Sequence, residues 1–189
     1  MSNAYRTKNS TGLINKNKKI NFSFNGHTYH GYEGDTLASA LISNGIHLIG
    51  RSFKYHRPRG FLGVGVEEPN AMVQLHEGNK SEPNIMATEV ELVEGLKAKS
   101  QNCWPSVQFD IGEVNNLLNR FFPAGFYYKT FMWPKSFWMK IYEPFIRKAA
   151  GMGVAPLQPD PDRYEHNYEH CDVLVVGSGP SGLASALAA

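Results

Sequence analysis

The stretch KINFSFNGHTYHGYEGDTLASALISNG, residues 19–45, decides the fold of the first domain. Apolar and polar residues alternate over Lys19–Phe24, and this two-residue period is typical of a half-buried strand. The next pair, Asn25-Gly26, tolerates the positive φ angles that a two-residue hairpin turn requires. Residues 27–32 are therefore predicted to return as a second, antiparallel strand.

A short helix is predicted directly after the hairpin. Asp35 or Thr36 can cap a helix over Leu37–Ser43, because both side chains can accept a hydrogen bond from a free N–H of the first turn. The pair Asn44-Gly45 favours a left-handed stop. A hairpin followed by a short helix is the beginning of a β-grasp (ubiquitin-like) fold.

Further short strands are needed to complete such a sheet. Residues 71–75 and 86–93 are predicted to form them, with a turn at residues 77–79 between them. We therefore predict an α+β fold class, with a β-grasp domain at residues 19–98 that is followed by the first βα unit of a Rossmann-type α/β domain.

Composition excludes several classes of protein. Hydrophobic residues make up 42% of the 189 residues, charged residues make up 19%, and the net charge is +2. This balance argues against a disordered chain and against a dedicated nucleic-acid binder. No apolar run approaches the ~20 residues of a membrane helix, and the polar amino terminus lacks the apolar core of a secretory signal. We expect a cytoplasmic protein with no membrane contact and no nucleic-acid partner.

The rest of the chain divides into four segments. We predict a flexible tail at 1–18, an aromatic-rich helical connecting segment at 99–153, a Pro-rich linker at 154–170 and the truncated start of a Rossmann-type FAD- or NAD(P)-binding domain at 171–189. The chain is expected to be the front part of a longer protein.

The aromatic-rich connecting segment is predicted to contain two helices. A capping box at Asp110 and Glu113 opens a helix to about Arg120. A second helix begins at Pro134 or Ser136, kinks at Pro144, runs through Ala150 and ends at Gly151. The aromatic side chains of this segment are expected to pack against further chain or another subunit.

A glycine motif near the end of the chain is the clearest cofactor signal. A β-branched run at Asp172–Val176 predicts a buried parallel strand, and a helix is predicted from residue 182. The motif between them is expected to hold a dinucleotide, because its glycines permit a tight turn, a close approach of the pyrophosphate and close packing of helix on strand. Its candidate cofactor-binding residues are Gly177, Ser178, Gly179, Pro180, Ser181 and Gly182.

A second candidate site is the arginine-rich loop, residues 50–60. Four cations, Arg51, Lys54, Arg57 and Arg59, alternate there with the rings of Phe53, Tyr55 and His56. Three interpretations stay open: an RNA or phosphate patch, a solvated or intersubunit loop, and a positive lining beside a flavin or dinucleotide. Glu67 and Glu68 follow closely, and we expect them to pair with the arginines. Arg57 is then structural, and Phe53 and Tyr55 are buried.

The sequence gives little indication of a metal site or of a catalytic nucleophile. A β-grasp domain with a long glycine-rich loop is the architecture of plant-type 2Fe–2S ferredoxins, which need several cysteines in that loop. The loop here, Gly60–Ala71, contains none, and the whole chain has only Cys103 and Cys171. We predict no iron–sulfur cluster and no metal site. No histidine is assigned a catalytic role, so the catalytic residues are unknown.

Several long motifs together resemble the alpha subunits of heterotetrameric sarcosine oxidases. They are RSFKYHRPRG at 51–60, EEPNA at 67–71, YKTFMWP at 128–134, PDPDRY at 159–164 and CDVLVVGSGPSG at 171–182. The resemblance covers residues 19–189, the front part of such a subunit. Relatives such as hydrogen cyanide synthase and opine oxidase subunits often keep cluster cysteines, so the cysteine-free loop favours the sarcosine branch.

The resemblance implies an activity, cofactors and partners. This family oxidises sarcosine to glycine with oxygen, forms hydrogen peroxide and passes a one-carbon unit to tetrahydrofolate. It carries NAD in the alpha subunit and FAD and FMN in the holoenzyme. It assembles with beta, gamma and delta subunits, and tetrahydrofolate binds in a C-terminal domain. The alternatives are a subunit of a related flavin-dependent amine or opine dehydrogenase, and a non-catalytic β-grasp interaction module. The fragment alone is expected to be inactive.

Overall fold

The computed structural model describes residues 5–7, 12–121, 125, 129–151, 153 and 155–189. Its main element is a five-stranded mixed sheet of order β2-β1-β7-β5-β6. The strands are β1 (Asn15–Phe24), β2 (His27–Glu33), β5 (Met72–Leu75), β6 (Glu82–Met86) and β7 (Lys97–Ser100). The short pair β3 (Gly50–Arg51) and β4 (Pro58–Arg59) forms a separate antiparallel ladder. The domain is therefore α+β, with few helices.

The predicted hairpin is confirmed. Strands β1 and β2 pair antiparallel, and the register joins Phe24 to His27 across a two-residue turn. In that turn Asn25 has φ of 51° and Gly26 has φ of 80°, the left-handed backbone that a type I′ turn needs. On the opposite edge β1 runs parallel to β7, with Ser23 beside Lys97. This central parallel pair gives the sheet its β-grasp topology.

The predicted helix α1 (Leu37–Ser43) is also confirmed, and Thr36 rather than Asp35 is its cap. The Thr36 hydroxyl accepts from the Ser39 N–H at 3.2 Å, and the Ser39 hydroxyl accepts from the Thr36 N–H at 3.0 Å. The chain leaves the helix through Gly45, whose φ is +78°. Local sequence signals were sufficient here because both helix ends are set by residues within the helix and its caps.

The predicted strand at residues 86–93 is wrong, and strands β3, β4, β6 and β7 were not predicted. Residues 86–93 do not form a strand beyond Met86; β6 lies before them, and β7 follows them. Val90 and Leu92 are nevertheless buried, because the irregular segment closes the core beside α1: the Val90 carbonyl accepts from the Leu37 N–H, and the Leu92 N–H donates to the Asp35 carbonyl. Apolar alternation therefore indicated burial correctly but secondary structure wrongly.

The core lies between one face of the sheet and α1. It is built mainly from aliphatic and aromatic side chains that are almost completely buried, among them Phe22, Phe24, Leu37, Leu41, Ile49, Val73 and Leu92. At Gly31 the helix approaches the sheet so closely that a Cβ would lie 2.5 Å from Leu92 and 3.0 Å from Ala40. The contact of α1 with β2 therefore depends on the missing side chain.

The predicted flexible tail needs correction where the structure describes it. Residues 15–18 belong to β1, and Arg6 forms an ion pair with the buried Asp35, with Nη2 2.6 Å from Oδ2. Tyr5 packs edge-on against His47, with ring centroids 5.2 Å apart. The rest of that tail, residues 1–4 and 8–11, lies outside the described residues.

The connecting segment is helical in short pieces. A 3₁₀ turn at Ile111–Glu113 leads into α2 (Val114–Leu117) and a second 3₁₀ turn at Asn119–Phe121. The expected continuous helix to Arg120 is therefore broken. The second predicted helix forms as a 3₁₀ turn (Lys135–Phe137), a π-helical turn (Trp138–Tyr142) and α3 (Glu143–Ala149). Part of the aromatic motif, residues 122–124 and 126–128, lies outside the described residues.

The remaining residues carry one further helix, α4 (Pro180–Ala188). The predicted strand at Asp172–Val176 is not formed, and most of its apolar residues are exposed, with Leu174 at 76% and Val176 at 87%. A strand exists only by pairing with a neighbour, and no described segment pairs with this one. None of the described helices is long and apolar enough to cross a membrane.

Candidate functional site

Arg51 is the centre of the arginine-rich loop, and it is buried. Its guanidinium donates to the carbonyls of Val107 at 2.9 Å, His56 at 3.0 Å and Gln108 at 3.2 Å. It also lies 3.2 Å from a carboxylate oxygen of Glu113, whose side chain is half exposed. The guanidinium of Arg51 therefore links β3 to residues 107–113 and to the His56 carbonyl through four hydrogen bonds.

A histidine–carboxylate pair lies beside this arginine. Nδ1 of His56 is 2.6 Å from Oδ2 of Asp110, and the Asp110 side chain is almost completely buried. The other oxygen of Asp110 accepts from the N–H groups of Trp104 and Gly112, each at 3.1 Å. The pair ties the tip of the arginine loop to the 104–112 turn, a structural arrangement that the sequence did not indicate.

Two further cations of the loop, Lys54 and Arg57, lie over the ring of Tyr55. The guanidinium carbon of Arg57 lies 4.8 Å from the Tyr55 ring centroid, and Nζ of Lys54 lies 5.0 Å from it. Arg57 also donates to the Asn116 side chain at 2.9 Å. Phe53 is exposed and Tyr55 is only partly buried, so the expectation that both loop aromatics are buried is wrong.

The expected pairing of arginines with Glu67 and Glu68 is also wrong. The Glu68 carboxylate accepts from the N–H groups of Leu62 and Gly63, both at 2.6 Å, and of Asn70 at 2.7 Å and Ala71 at 3.2 Å. Burial of Glu68 raises its pKa, but these four hydrogen bonds outweigh burial, so the pKa lies below its ordinary value. Glu68 is a buried anion with backbone partners.

A cavity of about 220 Å³ opens beside the arginine-rich loop. Its walls include Arg59, Met72, Asn84 and Gln101, together with Asn70 from the glycine-rich loop. In the part of the chain that the structure describes, Arg59 forms no ion pair. One of the three interpretations of the loop was a positive lining beside a cofactor. Of the two arginines in the cavity wall, Arg51 already bonds to protein groups, so only Arg59 could supply such a lining there.

The glycine motif begins at a left-handed turn and ends inside α4. Gly177 has φ of +108°, and Gly179 is the residue before the helix, with an extended backbone. A Cβ on Gly182 would lie 2.1 Å from the Gly177 carbonyl oxygen. A shallow cleft along the motif is lined by Gly177, Gly179, Ser181 and Gly182. The six motif residues are therefore brought together at one helix start, although the strand expected before them is absent.

Neither cysteine is part of a metal site in the described residues. Burial raises the pKa of the Cys103 thiol, and the nearby Asp110 carboxylate raises it further, against an opposing effect of Arg51. A thiol with a raised pKa is a weak nucleophile and a weak metal ligand at neutral pH. Among the residues with described positions, no three His, Cys, Asp or Glu side chains gather around a possible metal ion.

Comparison with known proteins identifies a domain model that matches the first half of the chain and relatives that match nearly all of it. A family model described as a 2Fe-2S iron-sulfur cluster binding domain matches residues 17–103. Sarcosine oxidase subunit alpha of Rhizobium meliloti (strain 1021) is 59% identical over 178 residues, which is 94% of this chain. The chain is a homologue of sarcosine oxidase subunit alpha. The resemblance that the sequence motifs indicated is confirmed.

The match to sarcosine oxidase subunit alpha covers only part of that protein. This chain spans 18% of the length of the Rhizobium meliloti subunit. The alpha subunits of Corynebacterium sp. (strain U-96) and Corynebacterium sp. (strain P-1) are each 31% identical over 92% of this chain, which is 13% of their length. A solved L-proline dehydrogenase from P. horikoshii aligns with 26% identity over 44% of this chain and 16% of that one. Its TM-score of 0.34 is too low to support an argument.

The residues present do not fit the cluster that the matched domain model describes. A 2Fe–2S cluster needs four ligands, usually cysteine thiolates, and the loop Gly60–Ala71 has no cysteine in a chain with two. In that loop, the inward-facing groups are backbone N–H donors around Glu68 rather than metal ligands. This chain therefore has a ferredoxin-like domain whose glycine-rich loop lacks the cysteine ligands of a ferredoxin.

Proposed function

We propose that this chain is part of the alpha subunit of an enzyme that oxidises sarcosine to glycine. In this proposal oxygen is reduced to hydrogen peroxide, and the one-carbon unit passes to tetrahydrofolate. The observation that carries it is the 59% identity over 178 residues with a sarcosine oxidase alpha subunit. That identity extends well beyond the ferredoxin-like domain, which argues against the alternative of an independent β-grasp module.

The proposed enzyme is an assembly located in the cytoplasm. Its alpha subunit works with beta, gamma and delta subunits, carries NAD and has a further domain for tetrahydrofolate, while the holoenzyme also holds FAD and FMN. The connecting segment is proposed to contact other subunits or other parts of the alpha subunit. In its described part, large apolar side chains are exposed, among them Trp104, Phe109, Phe121, Trp133 and Phe145. Apolar surface of this extent is typical of sites that contact other protein.

Within the alpha subunit, the glycine motif would hold the dinucleotide. Gly177 supplies the left-handed turn, Gly182 leaves room beside the Gly177 carbonyl, and the N–H groups at the start of α4 favour phosphate groups. When it is bound, NAD or FAD accepts or donates hydride equivalents. Gly177, Ser178, Gly179, Pro180, Ser181 and Gly182 only bind and orient its phosphates, and Asp172–Val176 would pair with further strands.

The ferredoxin-like domain is proposed to act as a scaffold without iron. Within its arginine-rich loop, Arg51 is engaged in internal contacts, which removes one of the four cations of the loop from contact with nucleic-acid phosphates. The domain would then position the connecting segment, which it contacts through Arg51, relative to the glycine motif. It would not take part in electron transfer.

The activity test uses the full-length alpha subunit produced together with its partner subunits. We expect oxygen uptake that depends on sarcosine, with one hydrogen peroxide formed per glycine when tetrahydrofolate is absent or present. An assembled, flavin-containing complex that fails to turn over sarcosine, but oxidises a different N-alkyl amino acid, would refute the substrate assignment and support the related amine or opine dehydrogenases.

The role of the glycine motif has its own readout in the same assembly. Gly182→Ala should weaken dinucleotide binding by at least about tenfold, equivalent to about 1.4 kcal/mol, because the added Cβ meets the Gly177 carbonyl. Gly12→Ala is the matched control, since nothing lies within 4 Å of its Cβ position. Bound nucleotide is measured by extraction and chromatography, and unchanged content in Gly182→Ala would argue against this site.

A further inference from the structure

The glycine-rich loop, Gly60–Ala71, is wound around a carboxylate that belongs to the loop itself. Glu68 is 2% exposed, although it is an acidic residue in an irregular segment. An ionised carboxylate is costly to bury unless hydrogen bonds or opposite charges compensate. No cation within ion-pair distance of Glu68 is found in the described part of the chain, so the compensation has to come from dipoles.

The compensation comes from backbone N–H groups at both ends of the loop. One oxygen, Oε2, accepts from Leu62 and Gly63, each at 2.6 Å. The other, Oε1, accepts from Asn70 at 2.7 Å and Ala71 at 3.2 Å. A single carboxylate thus joins the entry of the loop to its exit, and hydrogen bonds to a charged acceptor are about twice as strong as neutral ones.

The carboxylate of the neighbouring Glu67 accepts hydrogen bonds from two further N–H groups of the loop. Oε1 of Glu67 accepts from Val64 at 2.7 Å and Gly65 at 3.1 Å, and the Glu68 N–H donates to the Gly65 carbonyl at 3.1 Å. The Thr88 hydroxyl donates to the same carbonyl at 2.9 Å. Backbone donors that could otherwise face the sulfur atoms of a cluster are therefore already engaged with oxygen acceptors of the protein.

We propose that Glu68 is an internal anion that organises the Gly60–Ala71 loop, in the structural role that an anionic iron–sulfur cluster has in a ferredoxin of this fold. Both are buried negative groups that a loop encloses with N–H donors. A carboxylate in place of a cluster explains how this glycine-rich loop can be ordered although it contains no cysteine. The loop in turn places Pro69 and Asn70 in the wall of the cavity beside Arg59.

Glutamine tests this role with little change of shape. In Glu68→Gln one oxygen becomes an NH₂ group, and whichever way the amide is turned, that donor faces two backbone N–H donors. Hydrogen exchange at the amides of Leu62, Gly63, Asn70 and Ala71 should accelerate by about tenfold to 100-fold in the full-length protein, as expected when charge-assisted hydrogen bonds are lost. The matched control is Glu67→Gln, whose carboxylate is exposed and should leave these four amides unchanged.

A measurement on the unchanged protein keeps the proposal testable if Glu68→Gln does not fold. In the wild type, the amides of Leu62, Gly63 and Asn70 should exchange as slowly as those of strand β5, although they lie in a loop. If they exchange as fast as the amide of the exposed Gly78, Glu68 does not organise the loop and the proposal is wrong. Equal acceleration in Glu67→Gln and Glu68→Gln would overturn it as well.

Discussion

Replacing Arg51 with alanine is expected to lower the free energy of unfolding by about 3 kcal/mol. The Arg51 side chain is 3% exposed, and its removal leaves the carbonyls of Val107, His56 and Gln108 without this donor. The ion pair with Glu113 contributes less, because that carboxylate is half exposed and screened by water. Urea unfolding followed by circular dichroism measures the loss.

The control for Arg51 is a second arginine of the same loop. Arg57 is exposed, and among the described residues its side chain makes one hydrogen bond, to Asn116, besides its contact with Tyr55. Arg57→Ala should therefore change stability much less than Arg51→Ala. The sequence had favoured Arg57 for the structural role, and the structure transfers that role to Arg51. Equal losses in the two variants would contradict this assignment.

Replacing Asp35 with alanine is expected to cost about 3–5 kcal/mol, the range for breaking a buried ion pair. Its carboxylate accepts from Arg6 at 2.6 and 3.1 Å, from the Tyr32 N–H at 2.8 Å and from the Ser39 hydroxyl at 2.7 Å. The variant leaves Arg6, whose Nε has no hydrogen-bond partner among the described residues, as a largely buried charge without the Asp35 carboxylate. Thermal and urea unfolding measure the effect.

The control for Asp35 lies two residues earlier. Glu33 also forms an ion pair, with Lys18, but both side chains are substantially exposed. Glu33→Ala should therefore leave the unfolding midpoint almost unchanged. If Asp35→Ala and Glu33→Ala behaved alike, the amino-terminal contact of Arg6 would not contribute to the fold.

The hairpin and α1 could be predicted because their signals are local. A positive-φ pair at Asn25-Gly26 and a capping box at Thr36 specify a turn and a helix start within a few residues. Strand β7 could not be predicted in the same way, because Ala98 is its only buried side chain. Strand β6 contains Pro83, a residue that usually argues against a strand and is accepted here at the edge of the sheet.

The hydrogen-bond and ion-pair partners of the arginine-rich loop could not be inferred from distance along the sequence. Glu67 and Glu68 lie close to the arginines along the chain, whereas Arg51 contacts Glu113 across 62 positions. Charge counting identifies which residues can pair, but the loop conformation decides whether a carboxylate meets a guanidinium or a backbone N–H. The burial of Glu68 and the His56–Asp110 contact both follow from tertiary structure that no local pattern encodes.

In the glycine motif, the local turn signal was predictable, whereas the preceding strand depends on partners elsewhere in the chain. Its spacing predicted a turn and a helix start, and Gly177 and α4 provide both, although α4 begins at Pro180 rather than at residue 182. The β-branched run before it was predicted as a buried strand, yet Val176 is exposed. A parallel strand is stabilised by pairing and burial between neighbours, so sequence composition can indicate its potential without creating its partners.

Native mass spectrometry after anaerobic reconstitution with iron and sulfide tests the central claim most directly. The claim is that this ferredoxin-like domain is organised by protein carboxylates, with Glu68 at the centre of its loop, and holds no cluster. The account predicts that the treated full-length protein gains no mass of iron or sulfide and shows no cluster absorbance. A stoichiometric gain of two irons and two sulfides that is bound at the ferredoxin-like domain would contradict it.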